Sequence, residues 1–234
     1  MIDIEWITIP AGSFEMGAVD DDKFATDLER PRKRVTITAA FAMSQYPVTV
    51  KQYRAYLLAE PNAYTPHGID QAEADQPVMG LNRTDALGFC AWLSQTTGQT
   101  ISLPTEAQWE YACRAGTRSV FYTGDVISLT QANYAHDENG RVIGLNRPTP
   151  VGQYPPNPWG LCDMLGSVME LVADDWQPGL ASTPSFGQTT KSVVRGGAWD
   201  HMPRLLRCSH RDWINNRAAR IGNVGFRLVK LLTR

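Results

Sequence analysis

Helical periodicity stops at Gly116. Before it, three segments combine helix-start chemistry with apolar residues at three- and four-residue spacing; after it no segment does. Thr49-Val50-Lys51-Gln52 reads as a capping box, after which Val50, Tyr53 and Leu57 share one face. Thr84 is expected to cap a second helix. Its Ala86, Phe89, Cys90 and Leu93 fall at i, i+3, i+4 and i+7, and Gly98 ends it. Thr105-Glu106-Ala107-Gln108 is a second capping box, opening a helix through Trp109 and Ala112. Beyond Gly116, turn clusters such as Asn139-Gly140 and Pro155-Pro156-Asn157-Pro158 alternate with very short apolar runs. A chain built this way cannot be a helical bundle. It predicts an α+β domain with an irregular, β-rich second half.

Strands are expected where Ile2, Ile4 and Trp6 alternate with polar neighbours, over Ser13 to Gly17, over Arg32 to Thr38, at Val193-Val194, and from Val224 to Val229. Nineteen Gly and fifteen Pro supply the turns, and seven Trp supply bulky anchors. No fixed-period repeat and no Gly/Ser linker divides the chain, so residues 1–234 are read as one domain. Asp20-Asp21-Asp22 reads as a solvated loop or a cation site. No apolar run reaches the length of a membrane span, and Asp3 and Glu5 stand where a signal peptide would be basic or apolar. A cytoplasmic location is the expectation. Cys90, Cys113, Cys162 and Cys208 show no CxxC spacing, which points to buried free thiols.

The formal net charge of -2 hides an asymmetry. From Lys191 onward there are ten Lys or Arg against two acids, Asp200 and Asp212. Two readings follow: a basic face attracting phosphate or nucleic acid, through Arg204, Arg217 and Arg220, or arginines used as internal props against carboxylates from the rest of the chain.

Ordered motifs run through most of the sequence: Ile9 to Gly17 (IPAGSFEMG), Tyr46-Pro47-Val48-Thr49, Leu103 to Ala112 (LPTEAQWEYA), Pro156 to Met164 (PNPWGLCDM), Arg195-Gly196-Gly197-Ala198-Trp199 and Gly225-Phe226-Arg227-Leu228. In these the chain resembles the formylglycine-generating enzyme (sulfatase-modifying factor) family. The resemblance implies a loop-rich α+β domain related to the C-type lectin fold. It also implies a copper oxidase, whose two cysteines follow the Arg-Gly-Gly segment. Here His201 stands at the first cysteine's place and the second has no counterpart near Leu205 or Leu206, so copper is disfavoured. Other relatives carry a helical iron-binding domain, and none is expected upstream of Met1. The family's calcium signature is Gly166-Ser167-Val168-Met169-Glu170-Leu171 here, with Ser167 a poorer hard-cation ligand than an asparagine carbonyl. Glu170 is expected to cap backbone amides or to pair with an arginine. His201, Cys208 and His210 match no established zinc spacing. No cofactor is expected, with a calcium site left open.

The same C-terminal stretch also resembles the variable region of proteins diversified by diversity-generating retroelements. Framework residues Arg195, Gly196, Gly197, Trp199, Arg207, Arg211, Gly225, Phe226 and Arg227 are interrupted by mixed side chains within a variable region of about 195–227. That implies a non-catalytic ligand-binding protein. Its framework would include Trp199, Arg207 and Arg211, and its exposed patch Asp200, His201, Met202, Leu205, His210, Asp212, Trp213 and Ile214. The partner would be a protein or other macromolecule, since stiff aromatics among adaptable polar groups suit a binding surface. The alternative is a divergent copper- or metal-dependent oxidase of the formylglycine-generating type.

Overall fold

All three helices start from a reciprocal cap between side chain and backbone. In the computed structural model, which describes residues 2–180, 185–187, 189–215 and 219–232, α1 (Val50–Ala59) is capped by Thr49 and Gln52, and α3 (Glu106–Arg114) by Thr105 and Gln108. Both match the sequence reading. The helix between them, α2 (Arg83–Thr97), differs. Its cap is Asn82, whose side chain accepts from the Asp85 amide at 3.0 Å while Asp85 accepts from the Asn82 amide at 3.0 Å. Thr84 lies inside the first turn, because the chain is still extended at Asn82 and already helical at Arg83. Asn82→Ala is expected to cost about 1 kcal/mol and Thr84→Ala a few tenths at most, by urea denaturation. Equal losses would return the cap to Thr84.

Among the described residues, ten strands form three sheets. The first holds β1 (Trp6–Ile9), β4 (Phe41–Ser44), β10 (Val229–Leu231) and β5 (Ile101–Ser102) in that order. The second is the hairpin of β2 (Gly12–Met16) and β3 (Lys33–Ile37). In the third, the order is β8 (Arg211–Asn215), β7 (Lys191–Arg195), β6 (Met169–Asp175), β9 (Val224–Phe226), with β6 and β9 parallel. The expected Ile2-Ile4-Trp6 strand begins only at Trp6, because the β4 ladder starts opposite it at Ser44. The expected Val224–Val229 strand is two strands: the chain leaves the third sheet after Phe226 and joins the first at Val229. Arg227 sits at that crossing.

Two apolar clusters fill the spaces between the layers, and each draws on both halves of the chain. One joins Ile9, Phe41 and Trp109 to Leu161, Val193 and Leu206; the other joins Tyr53, Phe89 and Leu103 to Leu171, Ile214 and Phe226. The chain is a single α+β domain, not two units split near Gly116.

The C-terminal arginines decide between the two charge readings. Arg195, Arg207, Arg211 and Arg227 are each at most 3% exposed. Arg195 binds Glu110; Arg207 binds Glu29 and Asp22 at 2.7 and 2.6 Å; Arg211 forks onto Glu106 at 2.8 Å through two nitrogens; Arg227 forks onto Glu170 at 2.6 and 2.7 Å. The Arg207–Glu29, Arg211–Glu106 and Arg227–Glu170 pairs add geometric specificity through parallel charge-assisted bonds. Asp22 is therefore a buried anion, not part of a solvated loop. Of the cations assigned to phosphate, Arg220 forks onto Asp85 at 2.8 and 3.1 Å and lies over Tyr64, and Arg204 is 3.7 Å from Glu138. Both are already paired with carboxylates, and Arg217 lies outside the described residues.

Candidate ligand-binding surface

The buried arginines hold the C-terminal segment from beneath. Arg195 donates to the carbonyls of Cys208, Ser209 and His210 at 3.0, 2.8 and 2.6 Å, and Arg207 donates to the Arg204 carbonyl at 2.7 Å. Backbone fixed this way leaves the intervening side chains to be sorted by strand geometry and packing. The loop 199–204 runs beside the loop 135–138: the amides of Ala135 and His136 both donate to the His201 carbonyl, and the Arg204 amide donates to Glu138 at 2.9 Å.

Trp199, Asp200, His201 and Met202 are half-buried on this loop. Asn223 donates to both Asp200 oxygens at 2.8 and 3.1 Å, and its amide nitrogen lies 3.4 Å from His201 Nε2. The His136 ring lies 2.9 Å from the Asp200 carbonyl. Burial lowers the proton affinity of His201, while the charges of Asp200 and Asp212 work against it. Asp200, His201 and Asp212 thus share one neighbourhood, with His136 and Asn223 added to it from outside the expected set. No sequence signal marked either of those two residues, since each arrives through tertiary contact.

The other expected patch residues separate. Ile214 is 2% exposed and belongs to an apolar cluster, contrary to expectation. On β8 the alternation of faces puts Asp212 and Ile214 on one side of the sheet and Arg211 and Trp213 on the other. Trp213 is exposed there, with the Lys191 ammonium 3.5 Å from its ring centre. Leu205 packs against the first apolar cluster. His210 is half-buried beside Arg207, whose guanidinium lies 3.4 Å from its Nδ1. The eight residues therefore do not form one exposed face, because the edge strand and the short 3-10 turn at Pro203–Leu205 divide them.

Burial first, and then the Arg207 charge, push the His210 imidazole far below its ordinary 6.5. The unfolded chain therefore binds more protons than the folded one once pH drops below about 6.5, and His210 withdraws stability as pH falls through that range. Relative to His210→Gln, the wild type is expected to lose urea resistance between pH 7.5 and pH 5. An unchanged difference would mean that the imidazole ionises freely.

Beside the 199–204 loop lies a recess of about 710 Å³, lined by Phe24, Val120, Val126 and Ile127 together with Arg118, Glu138, Pro203 and Arg204. Glu170, the remaining carboxylate of the calcium signature, accepts from Arg227 twice and from Trp109 Nε1 at 2.6 Å. It is an arginine partner, and Ser167 is buried at a positive φ of 61°. Cys208 is fully buried, its sulfur 3.6 Å from that of Cys113. Among the described residues, no group of three His, Cys, Asp or Glu side chains is arranged to hold a metal ion.

The profile of the sulfatase-modifying factor enzyme 1-like domain matches residues 4–232. The chain belongs to that family. PvdO from Pseudomonas aeruginosa is 31% identical to this chain with a TM-score of 0.84, over 97% of this chain and 94% of PvdO. Serine/threonine-protein kinase pkn1 of Chlamydia pneumoniae is 30% identical over 97% of this chain, which spans 38% of that protein's length. Treponema denticola variable protein 1 shares the fold, with 19% identity and a TM-score of 0.78 over 98% of this chain and 95% of its own. This sulfatase-modifying factor domain thus has the formylglycine-generating-enzyme-like, C-type lectin arrangement. No described helix is long and apolar enough to cross a membrane.

Proposed function

We propose that this domain is a ligand-binding protein whose binding surface centres on the 199–204 loop and the recess beside it. One observation carries the reading. Six buried side-chain nitrogen or oxygen atoms lack a hydrogen-bond partner among the described residues, and three of them, on Trp199, His201 and Asn223, lie on or beside this loop; a fourth there, Glu138 Oε2, faces Arg204 at 3.7 Å. A buried polar atom without a partner costs about 1–3 kcal/mol, so a cluster of them marks where a bound molecule or ordered water completes the bonding. The indole N–H donates, the Asn223 carbonyl oxygen accepts and His201 Nδ1 does either, which suits a ligand with alternating hydroxyl or amide groups.

The further reading, that the segment is the variable region of a retroelement-diversified protein, rests on the framework pattern. Substitution would be free at Asp200, His201, Met202 and Asp212, and confined to apolar residues at Leu205 and Ile214. The gene's surroundings test it: a reverse transcriptase and an imperfect repeat of the codons for 195–227 are expected nearby. Their absence from the locus would remove the diversification reading and leave the binding reading standing. For binding itself, peptide and glycan arrays probed with wild type and with His201→Ala are the measurement. Signals lost in His201→Ala, with an unchanged melting temperature, are expected. Signals indifferent to His201 and Trp199 would place binding elsewhere.

A further inference from the structure

Apolar side chains and uncommitted cations meet on the wall of the recess beside the 199–204 loop. Phe24, Val120, Val126 and Ile127 supply the apolar part, and Val126 is left 79% exposed there. At about 710 Å³ the recess lies within the range of about 300–1,000 Å³ that takes a drug-sized molecule. Its wall is held in place. The Phe24 amide donates to Asp22 Oδ1 at 3.0 Å, and Arg207 binds the other Asp22 oxygen at 2.6 Å. Arg114 donates to the Ser119 carbonyl at 3.1 Å, and the Cys208 amide donates to the Val120 carbonyl at 2.9 Å. The charges on the wall are unevenly committed. Asp22 is held by Arg207, Glu138 accepts from the Arg204 amide and faces its guanidinium, and Asp125 accepts from the Val120 amide at 3.3 Å. Lys23 and Arg118 are exposed and have no carboxylate partner among the described residues; the Lys23 ammonium lies 5.1 Å from the Phe24 ring centre. Of the acids on the wall, Asp21 alone is equally uncommitted among the described residues.

We propose that this recess binds an amphipathic organic anion, an acyl or aromatic body carrying a single carboxylate, sulfonate or phosphate group. The body covers Val126 and packs on Phe24, and Lys23 and Arg118 meet the headgroup. Removal of apolar surface from water supplies most of the affinity, and the two cations select the sign of the headgroup. Because the wall is fixed by hydrogen bonds before any ligand arrives, little ordering opposes binding. Although it rests on the binding reading above for its place beside the loop, the site needs none of the unpartnered atoms on Trp199, His201 and Asn223.

The test uses anilinonaphthalene sulfonate, whose fluorescence rises in apolar surroundings, titrated into the full chain and then displaced. Decanoate and naphthoate are expected to displace it, the tighter of the two naming the body, while decyltrimethylammonium is not. Val126→Glu puts a carboxylate into the recess and should weaken decanoate binding by about tenfold or more. Joint Lys23→Ala and Arg118→Ala should weaken it by about tenfold and remove the preference for the anion. All three positions are exposed, so melting temperatures should stay at the wild-type value. His201→Ala should leave decanoate binding unchanged, so the arrays report on the loop and the displacement assay on the recess. A wild type that binds no displaceable dye, equal displacement by decyltrimethylammonium, or decanoate affinity indifferent to Val126→Glu would overturn the site.

Discussion

Replacing Arg207 with methionine is expected to destabilise the protein by about 3–5 kcal/mol, a large part of the stability of any domain. The methionine fills much of the volume, so the loss is electrostatic. Asp22 and Glu29, 4% and 1% exposed, would remain buried without their shared guanidinium, and only the neutral donors of Ser209 and Thr26 would still reach Glu29. In the wild type, burial raises Glu29 and the Arg207 bonds and charge more than offset it, leaving its carboxyl below the ordinary 4.5. Glu29 therefore adds stability above its unfolded value and withdraws it as pH falls through the folded one. In the variant that carboxylate has lost its partner and is free to neutralise, so the deficit should shrink as the pH is lowered toward 4. Asp212→Ala, at an exposed position of β8, should change stability by no more than about 0.5 kcal/mol. Urea titrations of both variants at pH 7 and pH 4.5 are the measurement. A neutral Arg207→Met beside a costly Asp212→Ala would reverse the division between framework and surface.

Glu170→Ala should be of similar size. It strands the Arg227 guanidinium, which is 0% exposed and keeps only carbonyls of Ser44, Gln45 and Cys162, and it takes the acceptor from Trp109 Nε1. A loss of about 3–5 kcal/mol is expected from the orphaned cation. Glu170→Gln, which keeps an acceptor for the indole, should lose less. The Glu170→Ala and Arg227→Met changes should be strongly non-additive, since each removes what the other needs. Additive losses would mean that the pair contributes little as a pair. Calcium should leave the melting temperature of wild type and Glu170→Ala alike unchanged; a calcium shift abolished by the substitution would make Glu170 a ligand.

What could be read in the sequence was whatever depends on neighbours in the chain. Thr49 with Gln52 and Thr105 with Gln108 are complete statements about helix starts, because the bonding partners lie three residues apart. Asn82 escaped because Thr84, a good cap by type, stands two residues on, and backbone conformation decides between them. The charge imbalance left two readings open for the C-terminal arginines, and it was the resemblance to a diversified variable region that set Arg207 and Arg211 in the framework. Their carboxylates followed from neither, since Glu29 and Glu106 lie 178 and 105 positions away. For the candidate surface, Asp200, His201 and Asp212 were accessible to reading, whereas the burial of Ile214 depended on knowing that Arg211–Asn215 is a strand. The Cys113–Cys208 contact left no local trace at all.

The order in which the chain is made gives the buried ion pairs a further meaning. Glu29, Glu106 and Glu170 all leave the ribosome before the arginines that neutralise them, Arg207, Arg211 and Arg227. Until those arrive, closing either apolar cluster would trap bare carboxylates, so water competes successfully for them and the nascent chain stays open. At roughly 5–20 residues per second the wait for the last arginine, after Glu29 has been made, is on the order of ten seconds or more. The domain is thus timed to finish from its far end, and a message cut short before the codon for Arg195 would yield a chain that chaperones and proteases recognise as unfinished.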